Sequence, residues 1–196
     1  MREIKGNLWN GINRADAVII TTNGFVRKDG RATMGAGVAR QALQRFPKID
    51  LELGKLIKEN GSIVQIIREV NDTHLVSFPV KPMIAESSKI LDRLKDKNIH
   101  LKGLLADKIP GWAARAEIDL IEQSCIDLVR LTDRMKWKRV VLPRPGCGNG
   151  ELNYYTDVKP VLEKHLIGKR FFVIFQPRRN YGNRNKKIRN RDSVSG

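Results

Sequence analysis

Apolar positions along the chain follow two rhythms. Residues 16–22 (DAVIITT), 139–142 (RVVL) and 170–175 (RFFVIF) are short, nearly continuous apolar runs rich in β-branched or aromatic residues. That is the pattern of strands covered on both faces. Elsewhere the spacing is helical. Val38, Ala39, Ala42, Leu43 and Phe46 recur at that spacing until Pro47 ends the helix. Residues 49–59 predict a second helix with Gly61 as its stop. Residues 117–135 predict a third, with Ile118, Ile121, Cys125, Leu128, Val129 and Leu131 as its buried stripe. An amphipathic segment at 155–166 predicts a fourth. Residues 62–69 and 73–80 predict two strands joined by Val70-Asn71-Asp72, a hairpin. Pro79 and Pro82 are expected to break the chain on either side of Lys81, and a short N-terminal segment before Lys5 supplies a further strand. Helices and strands in this order predict an α/β fold, and a hairpin within it predicts a mixed sheet.

Two segments stand outside the pattern. Residues 85–110 are highly charged and weakly periodic; an insertion or lid is expected there, with a solvated surface segment as the alternative. From residue 177 on, apolar residues almost vanish, so that stretch cannot pack a core of its own. The expected organisation is therefore one domain over residues 1–176, carrying an insertion at 85–110, and a basic C-terminal tail at 177–196.

Composition narrows the classes. A 41% hydrophobic content with three Trp suits one folded domain among 196 residues. No apolar run approaches the roughly 18 residues of a membrane helix, and no signal-peptide core opens the chain, so no membrane partner is expected. Cys125 and Cys147 are too few for a disulfide framework, which points to a reduced, cytoplasmic setting. His74, His100 and His165 lack the paired spacing of a zinc site, and neither metal nor cofactor is expected. The net charge is +16, and seven of the cations lie after Gln176 against the single acid Asp192. Such a balance favours polyanionic partners, nucleic acid included, although charge also keeps proteins soluble.

The candidate chemistry sits in two glycine loops. Residues 143–152 read Pro-Arg-Pro-Gly-Cys-Gly-Asn-Gly-Glu-Leu and follow a strand. Residues 34–39 read Met-Gly-Ala-Gly-Val-Ala and open a helix. Each is expected at a helix N-terminus, where unpaired N–H groups and the helix dipole favour an anion; a tight turn without a ligand is the alternative. Neither loop ends in Gly-Lys-Ser/Thr or matches a lone dinucleotide fingerprint. The strand at 16–22 runs into Asn23-Gly24, a polar carboxyl end of the kind around which ligands gather in open α/β sheets.

Together these pieces resemble the macrodomain family over about residues 6–175. The match is carried by Gly6-Asn7-Leu8, the strand ending at Asn23, Met34-Gly35-Ala36-Gly37-Val38-Ala39, and Leu142-Pro143-Arg144-Pro145-Gly146-Cys147-Gly148-Asn149-Gly150. Phe78-Pro79-Val80-Lys81 further resembles a segment of the antitoxin macrodomains that remove ADP-ribose from DNA. The resemblance implies a three-layer α/β/α fold around a central mixed β-sheet, and binding of ADP-ribose or an ADP-ribosylated macromolecule. It assigns Asn7, with Leu8 beside it, to the adenine amine and Asn23 to the distal ribose. It assigns Gly35, Ala36, Gly37 and Val38, with Gly146, Cys147, Gly148, Asn149 and Gly150, to the diphosphate. Three or four backbone donors to charged oxygens, at about 1.5–3 kcal/mol each, allow a micromolar ligand after the cost of association.

The chain departs from the family pattern twice. Asn7 stands where the family usually has Asp, which implies looser base selectivity. In the resembling antitoxins a Trp lies close behind the Lys, whereas here residues 85–110 separate Lys81 from Trp112. For hydrolysis of the ADP-ribosyl linkage, Lys81 and Asn23 are the catalytic candidates: Lys81 as an amine activated by burial, Asn23 as a group that positions water. Glu151 is a candidate general base, and an exposed lysine is the alternative for Lys81. Cys147 has no histidine in reach by sequence logic. ADP-ribose 1″-phosphate dephosphorylation and nucleic-acid binding through the tail remain the other functional readings.

Overall fold

The computed structural model describes residues 1–86 and 108–176. The inner part of the expected insertion and the tail expected at 177–196 lie outside them. In chain order the elements are β1 (Arg2–Lys5), β2 (Ala17–Asn23), α1 (Gly37–Arg45), α2 (Ile49–Asn60), β3 (Gln65–Val70), β4 (Thr73–Lys81), β5 (Ile84–Glu86), β6 (Lys108–Pro110), α3 (Ile118–Arg134), β7 (Val140–Pro143), α4 (Lys159–His165) and β8 (Phe171–Phe175). A 6-stranded mixed sheet has the order β1-β8-β7-β2-β4-β3. All its neighbours run parallel except β3 and β4, which form the expected hairpin. Asn71 and Asp72 both take left-handed φ, 47° and 60°, the pair a tight hairpin turn needs to match strand twist.

Period-2 alternation in β2 sorts the core into two layers. Ala17 and Ile19 pack with Ile121, Cys125 and Leu128 of α3 and Leu162 of α4. Val18 and Ile20 point the other way, to Ala39 and Ala42 of α1 and Ile49, Leu53 and Ile57 of α2. All four β2 side chains are fully buried, and each isoleucine contributes about 1.5–3 kcal/mol by leaving water. Helices on both faces of the sheet give the three-layer α/β/α arrangement.

The structure corrects one expectation. Pro79 does not break the chain, because β4 runs through it to Lys81. Its missing N–H costs nothing on the β3 side, since that partner begins at Gln65, opposite Ser77, and Pro79 lies beyond. The loop at 143–152 leads through Asn153 into a helix whose first turn is not α-helical. A single π-helical turn, Tyr154–Val158, precedes α4, and Asn153 caps it by accepting from the N–H groups of Tyr155 and Thr156. Those donors are therefore spent within the chain, and any anion at this loop must use the loop's own backbone.

The excursion after Lys81 has a defined neck. β5 and β6 pair antiparallel, Ile84 with Pro110 and Glu86 with Lys108, and a 3-10 turn at Gly111–Ala113 follows. A side chain at Gly111 would meet the Pro82 carbonyl oxygen at 1.6 Å, so only glycine lets the returning chain lie against the departing one.

Candidate functional site

Because β7, β2 and β4 are parallel neighbours, their carboxyl ends share one edge, where Asn23 stands in register with Lys81 after a shift between Thr22 and Asn23. Asn23 is half-buried and already engaged: Nδ2 donates to the Thr33 carbonyl at 2.8 Å, and Oδ1 accepts from the Phe25 N–H at 3.0 Å. It closes the loop that delivers Gly35. α1 then starts at Gly37, whose φ of +57° is left-handed, behind an N-cap residue, Ala36, with no side-chain acceptor. The N–H groups of Gly37, Val38 and Ala39 thus have no acceptor among the described residues. Among the described residues, Gly35 has no heavy atom within 4 Å of its would-be Cβ.

In the second loop the glycines divide by role. A Cβ on Gly146 would sit 3.0 Å from Ala116, Ile121 and Leu152, and one on Gly150 would sit 2.4 Å from the Gly146 carbonyl oxygen. Both are buried packing positions. Gly148 is exposed, and among the described residues nothing lies within 4 Å of its would-be Cβ. The decisive contact joins the loops: a Cβ on Gly37 would lie 3.5 Å from Asn149 Nδ2. Gly37 and Asn149 therefore bring the two loops together, near Lys81, whose Nζ reaches the Asn149 carbonyl, and its register partner Asn23.

Lys81 is only 7% exposed. Its Nζ donates to two backbone carbonyls, Trp112 at 3.1 Å and Asn149 at 3.0 Å. The neck thus returns Trp112 to the lysine despite the intervening residues. From there the chain backs the second loop. The Ala116 N–H donates to the Gly150 carbonyl at 3.0 Å, and Arg115 Nη2 donates to the Glu151 carbonyl at 2.9 Å. Glu151 itself is exposed and held in a left-handed conformation, φ 63°.

Asn7 lies at the far end of the same sheet edge. Its Oδ1 accepts from the Trp9 N–H at 3.0 Å and caps the turn Leu8–Gly11. The carbonyl that the resemblance assigns to the adenine amine therefore already carries one bond, leaving a second lone pair and the Nδ2 donors. Leu8 is buried. A cavity of about 170 Å³ lies against Ile4, Gly6, Asn7, Leu8 and Ile174 and reaches Arg139.

Neither cysteine is activated. Burial pushes the Cys147 thiol up to about 11, Arg144 opposing and Asp157 adding, and its Sγ donates to the Pro145 carbonyl. Burial pushes Cys125 up to about 12. Among the described residues no group of three or more His, Cys, Asp or Glu is placed to hold a metal ion, and no helix is long and apolar enough to cross a membrane.

Sequence reasoning missed the staple that anchors the second loop. Glu3 of β1 accepts from Arg144 Nη2 and from Lys159 Nζ, both at 2.9 Å. The Arg144 guanidinium lies 3.9 Å from the Tyr154 ring centre and 4.1 Å from that of Phe175. No local signal announces a pair 141 residues apart.

No protein-family model and no curated protein matches the sequence. Solved structures do. The macrodomain of Mycobacterium tuberculosis DarG superposes with a TM-score of 0.63 at 21% identity, covering 90% of this chain and 97% of that one. The macrodomain of Thermus aquaticus DarG gives 0.60 at 20% identity, with 90% and 97% covered. The chain has the macrodomain fold. Thermosipho africanus DarTG, solved in complex with ADP-ribose, has a TM-score of 0.62 at 16% identity; the match covers 90% of this chain and 42% of that one. Within this macrodomain fold, the two glycine loops and the Asn23–Lys81 pair gather at the carboxyl edge of the sheet, and Asn7 lies at its β1 end.

Proposed function

We propose that the protein binds ADP-ribose, free or attached to a macromolecule, in the cleft between its two glycine loops. The observation that carries this reading is the meeting of Gly37 with Asn149. It brings a helix N-terminus with unspent N–H groups against a second, exposed glycine loop, a setting for a diphosphate. Asn23 and Lys81 border the cleft where the distal ribose of such a ligand would lie. The cavity of about 170 Å³ against Asn7, with Ile4, Leu8 and Ile174 among its walls, is where the base of such a ligand would lie. The solved complex of a protein with this fold and ADP-ribose supports the assignment. The test is calorimetry with ADP-ribose, ADP and AMP side by side. ADP-ribose should bind in the micromolar range and AMP far more weakly, since AMP brings one phosphate to a site for two. Equal binding of AMP and ADP-ribose, or no binding of either, would refute the reading.

A second reading, cleavage of the ADP-ribosyl linkage, is favoured by the register of Asn23 with Lys81 at the strand ends. Removal of ADP-ribose from modified protein and from modified DNA, compared between wild type and Lys81→Ala, tests it. Equal turnover in both would clear Lys81 of any part in the chemistry, and no turnover by either would leave a binding module. Nucleic acid enters this proposal through the +16 charge, as the bearer of the ADP-ribosyl group or as a partner of the basic tail.

A further inference from the structure

The backing of the second glycine loop is a strap, residues 111–117, that comes straight from the neck of the excursion. Three bonds fix it there. Ala116 N–H donates to the Gly150 carbonyl and Arg115 to that of Glu151, while Glu117 N–H holds the strap to the end of β4 through the Val80 carbonyl at 3.0 Å. The upper end depends on Lys81. Its buried Nζ is the group seen to join Trp112, in the turn directly after β6, to Asn149, in the part of the loop that touches Gly37. Gly111 N–H adds a bond to the Met83 carbonyl at 2.9 Å and locks the turn to the same strand end.

We propose that Lys81 is a positioning residue that makes the neck and the second glycine loop one cooperative unit, so that filling the cleft and ordering the neck are linked. Two carbonyl dipoles aim at one ammonium from two separate segments. Removing the ammonium deletes both bonds at once, and with them the side-chain link between the two segments. Linkage then runs both ways: a ligand that pins Asn149 steadies the neck, and anything that holds the neck tightens the cleft by the same factor. The ligand half rests on the proposed cleft, whereas the brace itself does not.

Amide hydrogen exchange tests the two halves apart. Without ligand, Lys81→Met keeps the stem and deletes the charge. It should speed exchange in the neck (84–86 and 108–113) and in the loop (146–151) together, by about fivefold or more, and leave α2 unchanged. Lys81→Arg, with donors enough for both carbonyls, should restore both segments towards wild type. Acceleration of one segment alone, or of neither, overturns the brace, and a general acceleration that includes α2 overturns the specific role. With ADP-ribose added to wild type, exchange in the neck should slow along with the loop, and Lys81→Met should confine the slowing to the loop. A neck indifferent to bound ADP-ribose refutes the linkage. If ADP-ribose does not bind at all, the cleft assignment fails while the ligand-free comparison still decides the brace. Should Lys81→Arg not fold, the Lys81→Met pattern alone decides it.

Discussion

Replacing Gly37 by Glu separates a ligand cleft from a mere turn. The position tolerates a side chain sterically, because the nearest neighbour of a Cβ is Asn149 Nδ2 at 3.5 Å, ordinary contact distance. Its φ of +57° adds strain of about 1–2 kcal/mol for any residue with a Cβ. That is a fraction of the roughly 5–15 kcal/mol that stabilises a domain, so the variant should fold. The ligand meets a different cost. A carboxylate about 4 Å from a phosphate charge repels it by about 4 kcal/mol at an effective dielectric of 20, and a diphosphate carries two. Allowing for side-chain escape and salt screening, about 3 kcal/mol should remain, a loss on the order of a hundredfold in affinity. Gly37→Ala is the control: it carries the same backbone strain without the charge and should lose less than about tenfold. Calorimetry with ADP-ribose gives the affinities, and thermal unfolding confirms that both variants are folded. A folded Gly37→Glu that binds within about threefold of wild type would show that no anion sits at the N-terminus of α1.

Truncation after Gln176 should lower affinity for single-stranded DNA and flatten its salt dependence, because fewer counterions are released; ADP-ribose affinity should hold. An unchanged salt slope would dismiss the tail as a nucleic-acid contact. Glu3→Gln should cost about 1 kcal/mol at pH 7 by breaking the bonds to Arg144 and Lys159. Burial alone would raise the Glu3 carboxyl, but Lys159 and Arg144 outweigh it and hold it below the ordinary value. A depressed carboxylate stabilises above its unfolded pKa, so the gap between wild type and variant, followed by urea unfolding against pH, should persist from pH 8 to about 5 and shrink below about 4. A gap that grows towards acid would contradict the pairing. Cys147, with its thiol pushed up to about 11, should alkylate slowly at pH 7.5 and faster as pH rises, while fully buried Cys125 should react only on unfolding. Rapid labelling of Cys147 at neutral pH would mean that the loop opens.

Local pattern carried much of this protein. The nearly continuous apolar run at residues 16–22 marked β2 as a central strand, because both faces of such a strand must be covered. The runs around Asn71-Asp72, Gly61 and Pro47 marked turns and helix ends that any context would honour, and the two glycine loops were visible as loops. Their division of labour was not. Gly146 and Gly150 are glycines because Ala116 and a backbone carbonyl crowd them, whereas none of the described residues crowds Gly148, and nothing in Gly-Cys-Gly-Asn-Gly distinguishes the three. Pro79 read as a break because a sequence does not say where the neighbouring strand begins. Lys81 was legible as a candidate but not as a brace. Among its partners are the main-chain oxygens of Trp112 and Asn149, 31 and 68 residues away. Every residue carries such an oxygen, so only the folded chain decides which of them face the ammonium.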